Sequence, residues 1–213
     1  MTKLKISCKV ILLLFLFISF SGCKEKDKPE EPPTSGTFID SRDNYEYKWI
    51  KIGDDIWMTE NLAYKTNSGC WTYGNSDTTL SVYGYLYTYA SATEAVPESW
   101  HIATGTEWDA LIKNLGGYEI AGGKLKETGT KHWLSPNGKA TNSSGFSALP
   151  GGYRSYYDGA FYTIGEYGYW WCYAEDDKTT ASVYVLNYEN GLVFRNNNRK
   201  DYGYSVRCVK NKK

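Results

Sequence analysis

Residues 100–117 read WHIATGTEWDALIKNLGG, and this stretch contains a whole helix with both of its ends marked. Thr104 and Glu107 have the spacing of a capping box, in which the threonine oxygen and the glutamate carboxylate satisfy each other's orphan backbone N–H groups. Trp108, Leu111, Ile112 and Leu115 then fall at i, i+3, i+4 and i+7, one apolar stripe on a helix over 104–115. Gly116-Gly117 supplies the left-handed end. Upstream the period changes from 3.6 to 2. Tyr45, Tyr47 and Trp49 alternate with polar residues, and Asp55-Ile56-Trp57-Met58 follows a Gly53-Asp54 turn, so a strand hairpin precedes the helix. A second helix is expected over 85–94, stopped by Pro97. Downstream, 116–168 is rich in glycine and poor in apolar periodicity, which predicts a long loop-rich region with a short helix near 124–127. Strand patterns return at 169–174, 182–188, 192–195 and 204–210, with Asn190-Gly191 read as a tight hairpin turn. Two helices, a loop-rich excursion and a meander of strands predict an α+β domain over 37–213.

The segment before this domain has a different composition. Lys3, Lys5 and Lys9 precede an apolar run over 10–20, which is too short to span a bilayer but has the length of a signal-peptide core. Ser21-Gly22-Cys23 follows, and this junction resembles a bacterial lipobox with Phe20 in the usual leucine place. Residues 1–22 are accordingly expected to be a lipoprotein signal peptide, with Cys23 the lipidated residue and the lipid bilayer its partner. Residues 24–36, KEKDKPEEPPTSG, carry seven charges and three prolines, so 23–36 reads as a solvated tether. The charges just after Cys23 resemble the export signal that sends some lipoproteins of Bacteroidetes-like bacteria to the cell surface. The expected location is the bacterial cell envelope, at the outer membrane and surface-exposed.

The whole chain has 213 residues, with 24 basic and 24 acidic side chains. Loss of Lys3, Lys5 and Lys9 with the signal leaves 21 against 24, a net charge of −3. Such a domain has no cationic excess with which to neutralise phosphates, so nucleic acid is excluded as a partner. The notable number is the 16% aromatic content, with 20 Tyr and 8 Trp. Tyr and Trp offer large rigid contact area with a polar tip, suited to protein interfaces and to stacking on sugar rings.

Seven short motifs occur in a fixed order. They are IGDDIWMTENL (52–62), YGYLY (83–87), WHIATGTEW (100–108), GGKLK (122–126), GFSALPGGYR (145–154), EYGYWW (166–171) and SVRCV (205–209). In this order the chain resembles the Fibrobacter succinogenes major paralogous domain family over about 40–210. The resemblance implies a C-type-lectin-like fold: paired N- and C-terminal strands, two helices packed on a small antiparallel sheet, and a long loop region carrying ligand-binding surface. It implies no biochemical activity. The chain departs from the family pattern at Val96 and at Leu80-Ser81, where cysteines are common, and at Cys172, where serine is usual.

Few chemical constellations are present. Three cysteines lie in the domain, Cys70, Cys172 and Cys208. Cys172 and Cys208 fall on predicted strands and are the pair for a disulfide; three buried, reduced thiols are the alternative. His101 and His132 are the only histidines, with no cysteine at zinc spacing, so no metal and no cofactor are expected, and His101 reads as a structural hydrogen-bonder. Ser135-Pro136-Asn137 lacks the carboxylate of the calcium-binding tripeptides of sugar-binding lectins. Formylglycine-generating enzymes, which have a related fold, need a close cysteine pair, whereas Cys172 and Cys208 are 36 residues apart. Asp176-Asp177 reads as a solvated turn rather than a glycosidase pair. The expected function is therefore a membrane-anchored, non-enzymatic module that binds glycan or protein through its aromatic loops. Tyr156, Tyr157 and Phe161, around the Asp158-Gly159 turn, are the candidate ligand-binding residues. An extracytoplasmic enzyme acting on polysaccharide or cell envelope, and a structural part of a surface assembly, are the alternatives.

Overall fold

The computed structural model describes residues 34–173 and 178–212. In chain order the elements are β1 (Ser35–Asp40), β2 (Tyr45–Ile52), β3 (Asp55–Met58), β4 (Cys70–Trp71), α1 (Asp77–Tyr83), β5 (Leu86–Tyr87), α2 (Tyr89–Ala95), β6 (Trp100–Ile102), α3 (Gly105–Asn114) and α4 (Ala121–Leu125). After a loop-rich stretch come β7 (Tyr153–Arg154), β8 (Phe161–Tyr162), β9 (Tyr167–Trp171), β10 (Thr180–Asn187), β11 (Phe194–Arg199) and β12 (Cys208–Lys210). The strands form a five-stranded sheet ordered β1-β2-β3-β12-β6, a three-stranded sheet ordered β11-β10-β9, and the two ribbons β4-β5 and β7-β8. Every strand pair in them is antiparallel. The chain is thus a mixed α/β protein of small antiparallel sheets and few helices, as the sequence predicts. The last strand lies between β3 and β6, while β1 takes the edge.

Side chains alternate across a strand, and here both faces of the five-stranded sheet are buried. Trp57 and Val209 face α3, joining Trp108, Leu111 and Ile112 with Trp133 and Phe146 from the loops. Tyr47, Met58, Trp100, Ile102 and Cys208 face the other way, against Tyr89, Ala92 and Ala95 of α2. The two helices therefore sit on opposite faces. The second sheet feeds both cores, Trp171, Val183 and Val185 entering one and Trp170, Tyr184 and Leu186 the other.

α3 has the caps read from its sequence: Thr104 Oγ1 accepts from Glu107 N, and the Glu107 carboxylate accepts from Thr104 N at 2.8 Å. Four expectations are corrected. The helix expected over 85–94 begins only at Tyr89, because Leu86–Tyr87 pairs with Cys70–Trp71 and Tyr87 exchanges backbone bonds with Tyr204; Thr88 is the N-cap. The short helix expected at 124–127 lies earlier, over Ala121–Leu125. Asn190-Gly191 is not a two-residue hairpin. β10 and β11 last pair at Val185↔Phe194, and neither Asn190 nor Gly191 has positive φ, because this loop is shaped by a buried lysine described below. Finally, Cys70, Cys172 and Cys208 are all free thiols. The expected Cys172–Cys208 bond is not formed, since their side chains join different core clusters.

Two fully buried cations organise the interior. Arg207 donates from Nε to Asn61 Oδ1 (2.8 Å), from Nη1 to Met58 O (3.1 Å) and Phe146 O (2.6 Å), and from Nη2 to Ser147 O (3.0 Å). Asn61 also accepts from Trp170 Nε1 at 2.9 Å, so residues from four of the seven motifs meet around one guanidinium. Lys126 Nζ donates to the carbonyls of Gly138, Asn187 and Asn190 at 2.8–2.9 Å. Arg207 and Lys126 are therefore structural, satisfying backbone carbonyls that the loop-rich region would otherwise bury without partners.

Candidate functional site

The exposed aromatic face is built on the β7–β8 ribbon. Tyr153 pairs with Tyr162 and Arg154 with Phe161, and the turn between them is closed by Ser155 N donating to Ala160 O at 2.8 Å. Asp158 Oδ1 accepts from Ala160 N (3.0 Å), and Ser155 Oγ accepts from Tyr157 N (3.2 Å). These short bonds fix the turn and present Tyr157, which is 87% exposed, with Tyr156 at 40% and Tyr162 at 39%. The Tyr162 hydroxyl donates to Asp158 Oδ2 at 2.6 Å. That bond and the Ala160 N–H hold the Asp158 carboxyl down to about 2. Tyr156 stands edge-on to Tyr202 at 4.9 Å, with the Arg199 guanidinium 4.5 Å from its ring centroid. Arg199 is itself tied to Asp201 at 2.8 Å. Beneath these lies a layer of rings, Tyr153 touching Tyr162, Tyr169, Tyr202 and Tyr204 at centroid distances of 5.4–6.0 Å.

The three candidates from the sequence are thus divided. Tyr156 and Tyr157 are on the exposed face, but Phe161 is half-buried and packs on Tyr73 at 5.3 Å, next to Arg154 stacked on Trp71 at 3.9 Å. Its ribbon neighbour Tyr162 takes the exposed place. Successive strand residues face opposite ways, so one residue of register decides which aromatic is displayed. Tyr162, Tyr202 and Arg199 stand outside the candidates read from the sequence, and Asp158 enters there only as a turn residue. The alternating Phe161-Tyr162 signal was present, but its sign depends on the partner strand.

The polar centres are structural. His101 Nε2 lies 2.8 Å from Glu107 Oε1 and its Nδ1 lies 2.7 Å from Asn211 Oδ1, so this histidine joins the α3 cap to the C-terminal segment. His132 Nδ1 meets Glu127 at 2.7 Å, and Asn137 Nδ2 donates to the carbonyls of Glu127 and Gly129. Among the described residues there is no cluster of His, Cys, Asp and Glu able to hold a metal, and no helix long and apolar enough to cross a membrane. Cys23 and Asp176-Asp177 lie outside the described residues.

The His101–Glu107 contact has a pH signature. The hydrogen bond to Glu107 raises the His101 pKa above 6.5 against the opposing effect of burial. For Glu107, burial pushes upward, but the bonds from His101 and Thr104 outweigh it and the pKa falls below 4.5. A raised histidine stabilises fully below its unfolded pKa and loses that contribution as pH rises through the folded one. A lowered carboxylate stabilises above its unfolded pKa and loses that as pH falls. The pair is therefore strongest between about pH 4.5 and 6.5. His101→Gln is expected to cost up to about 1 kcal/mol at pH 5.5 and clearly less at pH 8.5, read from urea midpoints. A difference independent of pH would show that the pair is not ionic.

Compared with known proteins, the chain matches the Fibrobacter succinogenes major domain family over residues 50–210. The chain belongs to that family. No curated protein and no solved structure matches it.

Proposed function

We propose that this protein is a lipid-anchored, extracytoplasmic binding module of C-type-lectin-like fold, held to the bacterial outer membrane through Cys23. Its ligand surface is the tyrosine face, and it acts by recognition rather than catalysis. The observation that carries the reading is that Tyr156, Tyr157 and Tyr162 are exposed on one fixed turn, two of them braced by Tyr202 and Asp158. Ordering the rings before binding removes part of the entropy cost that exposed side chains otherwise bring to a complex. Aromatic faces of this kind suit the C–H faces of sugar rings or an apolar protein patch, and a glycan is the favoured ligand. The two acids beside the rings, Asp158 and Asp201, are each engaged locally, which supports binding over acid–base chemistry.

The test is a polysaccharide binding screen of the full chain in detergent, with EDTA present. Tyr157→Ala and Tyr162→Ala are each expected to weaken a bound glycan about tenfold. Phe161→Ala, which alters packing beneath the ribbon, serves as the comparison for indirect effects. Wild-type affinity in both tyrosine variants would remove this face as the ligand surface. A screen with no glycan bound would direct attention to a protein ligand, sought by cross-linking on intact cells.

A further inference from the structure

A second site, independent of the tyrosine face, lies between α4 and the loop over 139–143. It is a groove of about 390 Å³ whose walls include Glu119, Ile120, Lys124, Lys139, Thr141 and Ser143. Its construction starts from the buried Lys126 ammonium, which draws the carbonyls of Gly138 and Asn190 onto one point. The segments can approach so closely only because glycines line the contact. A Cβ on Gly123 would stand 2.3 Å from Lys139 O, and one on Gly191 would stand 3.2 Å from Lys139 Cβ. Thr141 N, donating to Gly123 O at 2.7 Å, closes the unit.

Lys139 in this packing has φ 64, a left-handed backbone uncommon for residues other than glycine and asparagine. Lys139 is exposed and Lys124 half-exposed, and among the described residues neither forms an ion pair. Two lysines against Glu119 leave the groove with one net positive charge. The Ser143 hydroxyl adds a donor, held in place by Thr141 Oγ1 at 3.3 Å, and Ile120, half exposed, adds an apolar wall.

We propose that this groove binds an oxyanion, a carboxylate, sulfate or phosphate carried on a small polar molecule, between Lys124 and Lys139. An acidic saccharide and a phospholipid headgroup share that chemistry. The test uses two-dimensional ¹H–¹⁵N spectra of the full chain in neutral detergent. Glucuronate, inorganic sulfate and glycerol phosphate are titrated, with glucose and glycerol as uncharged controls.

The anions are expected to shift the amides of Lys139, Ser143 and Gly191 with millimolar Kd, weakening with added salt, while the controls do not. Tighter glucuronate binding identifies an acidic saccharide as the source, and tighter glycerol phosphate a lipid headgroup. Lys139→Gly suits the left-handed backbone, so it should keep the wild-type Tm while weakening binding about tenfold. Lys124→Gln, on a helix with no such strain, should weaken binding to a similar extent. Anion shifts that are absent at about 100 mM, equalled by the uncharged controls, or unchanged in both variants would overturn the proposal.

Discussion

Arg207→Met is expected to lower the unfolding free energy by about 3–5 kcal/mol, measured by urea denaturation at pH 7. Two effects oppose each other at this site. Burial of a guanidinium is expensive, and here it pushes the pKa from 12.5 down to about 9, so the group still carries its charge at neutral pH. Methionine removes that cost. It also leaves the carbonyls of Met58, Phe146 and Ser147 without the guanidinium donor, while Asn61 Oδ1 keeps only the bond from Trp170 Nε1. A buried acceptor left unsatisfied costs about 1–3 kcal/mol, and three such carbonyls outweigh the relief of one desolvated charge. Arg207→Lys should recover little, because one ammonium cannot reproduce a planar fork reaching four acceptors on separate segments. A loss below about 1 kcal/mol in Arg207→Met would mean that the carbonyls find other donors and that the guanidinium is not the organising group.

Lys126→Met should cost about 2–4 kcal/mol by the same logic, with three carbonyls orphaned and most of the aliphatic stem retained. This site carries a second signature. Burial pushes the Lys126 pKa from 10.5 to about 8. Between those values the unfolded chain binds a proton that the folded chain has released, so raising the pH favours the folded state through this residue. The stability difference between wild type and Lys126→Met should therefore widen from pH 8 towards pH 10.5. A difference that stays constant over that range would show that the amine does not titrate in the fold. Loss of the clamp should also loosen the groove holding Lys139, since Gly138 and Asn190 are joined through Lys126.

Both cations lie within motifs that a reader of the chain would take for a recognition signature. In GGKLK the polar residue Lys126 is wholly inside, whereas Lys124, two positions earlier, lines a groove. In SVRCV the arginine is likewise wholly inside. The tyrosine face shows the converse. Tyr156 and Tyr157 were legible because Asp158-Gly159 marks a turn, and turn tips reach solvent whatever the fold. Tyr202 and Arg199, which brace Tyr156, come from a segment more than 40 residues away and carry no mark of it in the sequence.

What the chain determines by itself are the features whose causes span a few residues. The capping box at Thr104 and Glu107, the apolar stripe of α3, the Gly53-Asp54 turn between β2 and β3, and the ordered motifs that place the chain in its family all belong here. Each depends on hydrogen bonds or side-chain periods within about one turn or one hairpin. Only the tertiary structure decided which face of the β7–β8 ribbon Phe161 and Tyr162 occupy, why Asn190-Gly191 forgoes a tight turn, and why Cys172 and Cys208 stay apart. Those outcomes depend on partners far along the chain. Lys126 reaches carbonyls 12, 61 and 64 residues away, and Arg207 reaches acceptors 60 to 149 residues away. A buried carbonyl must find a donor wherever the fold brings one, and that demand is invisible until distant segments are packed together.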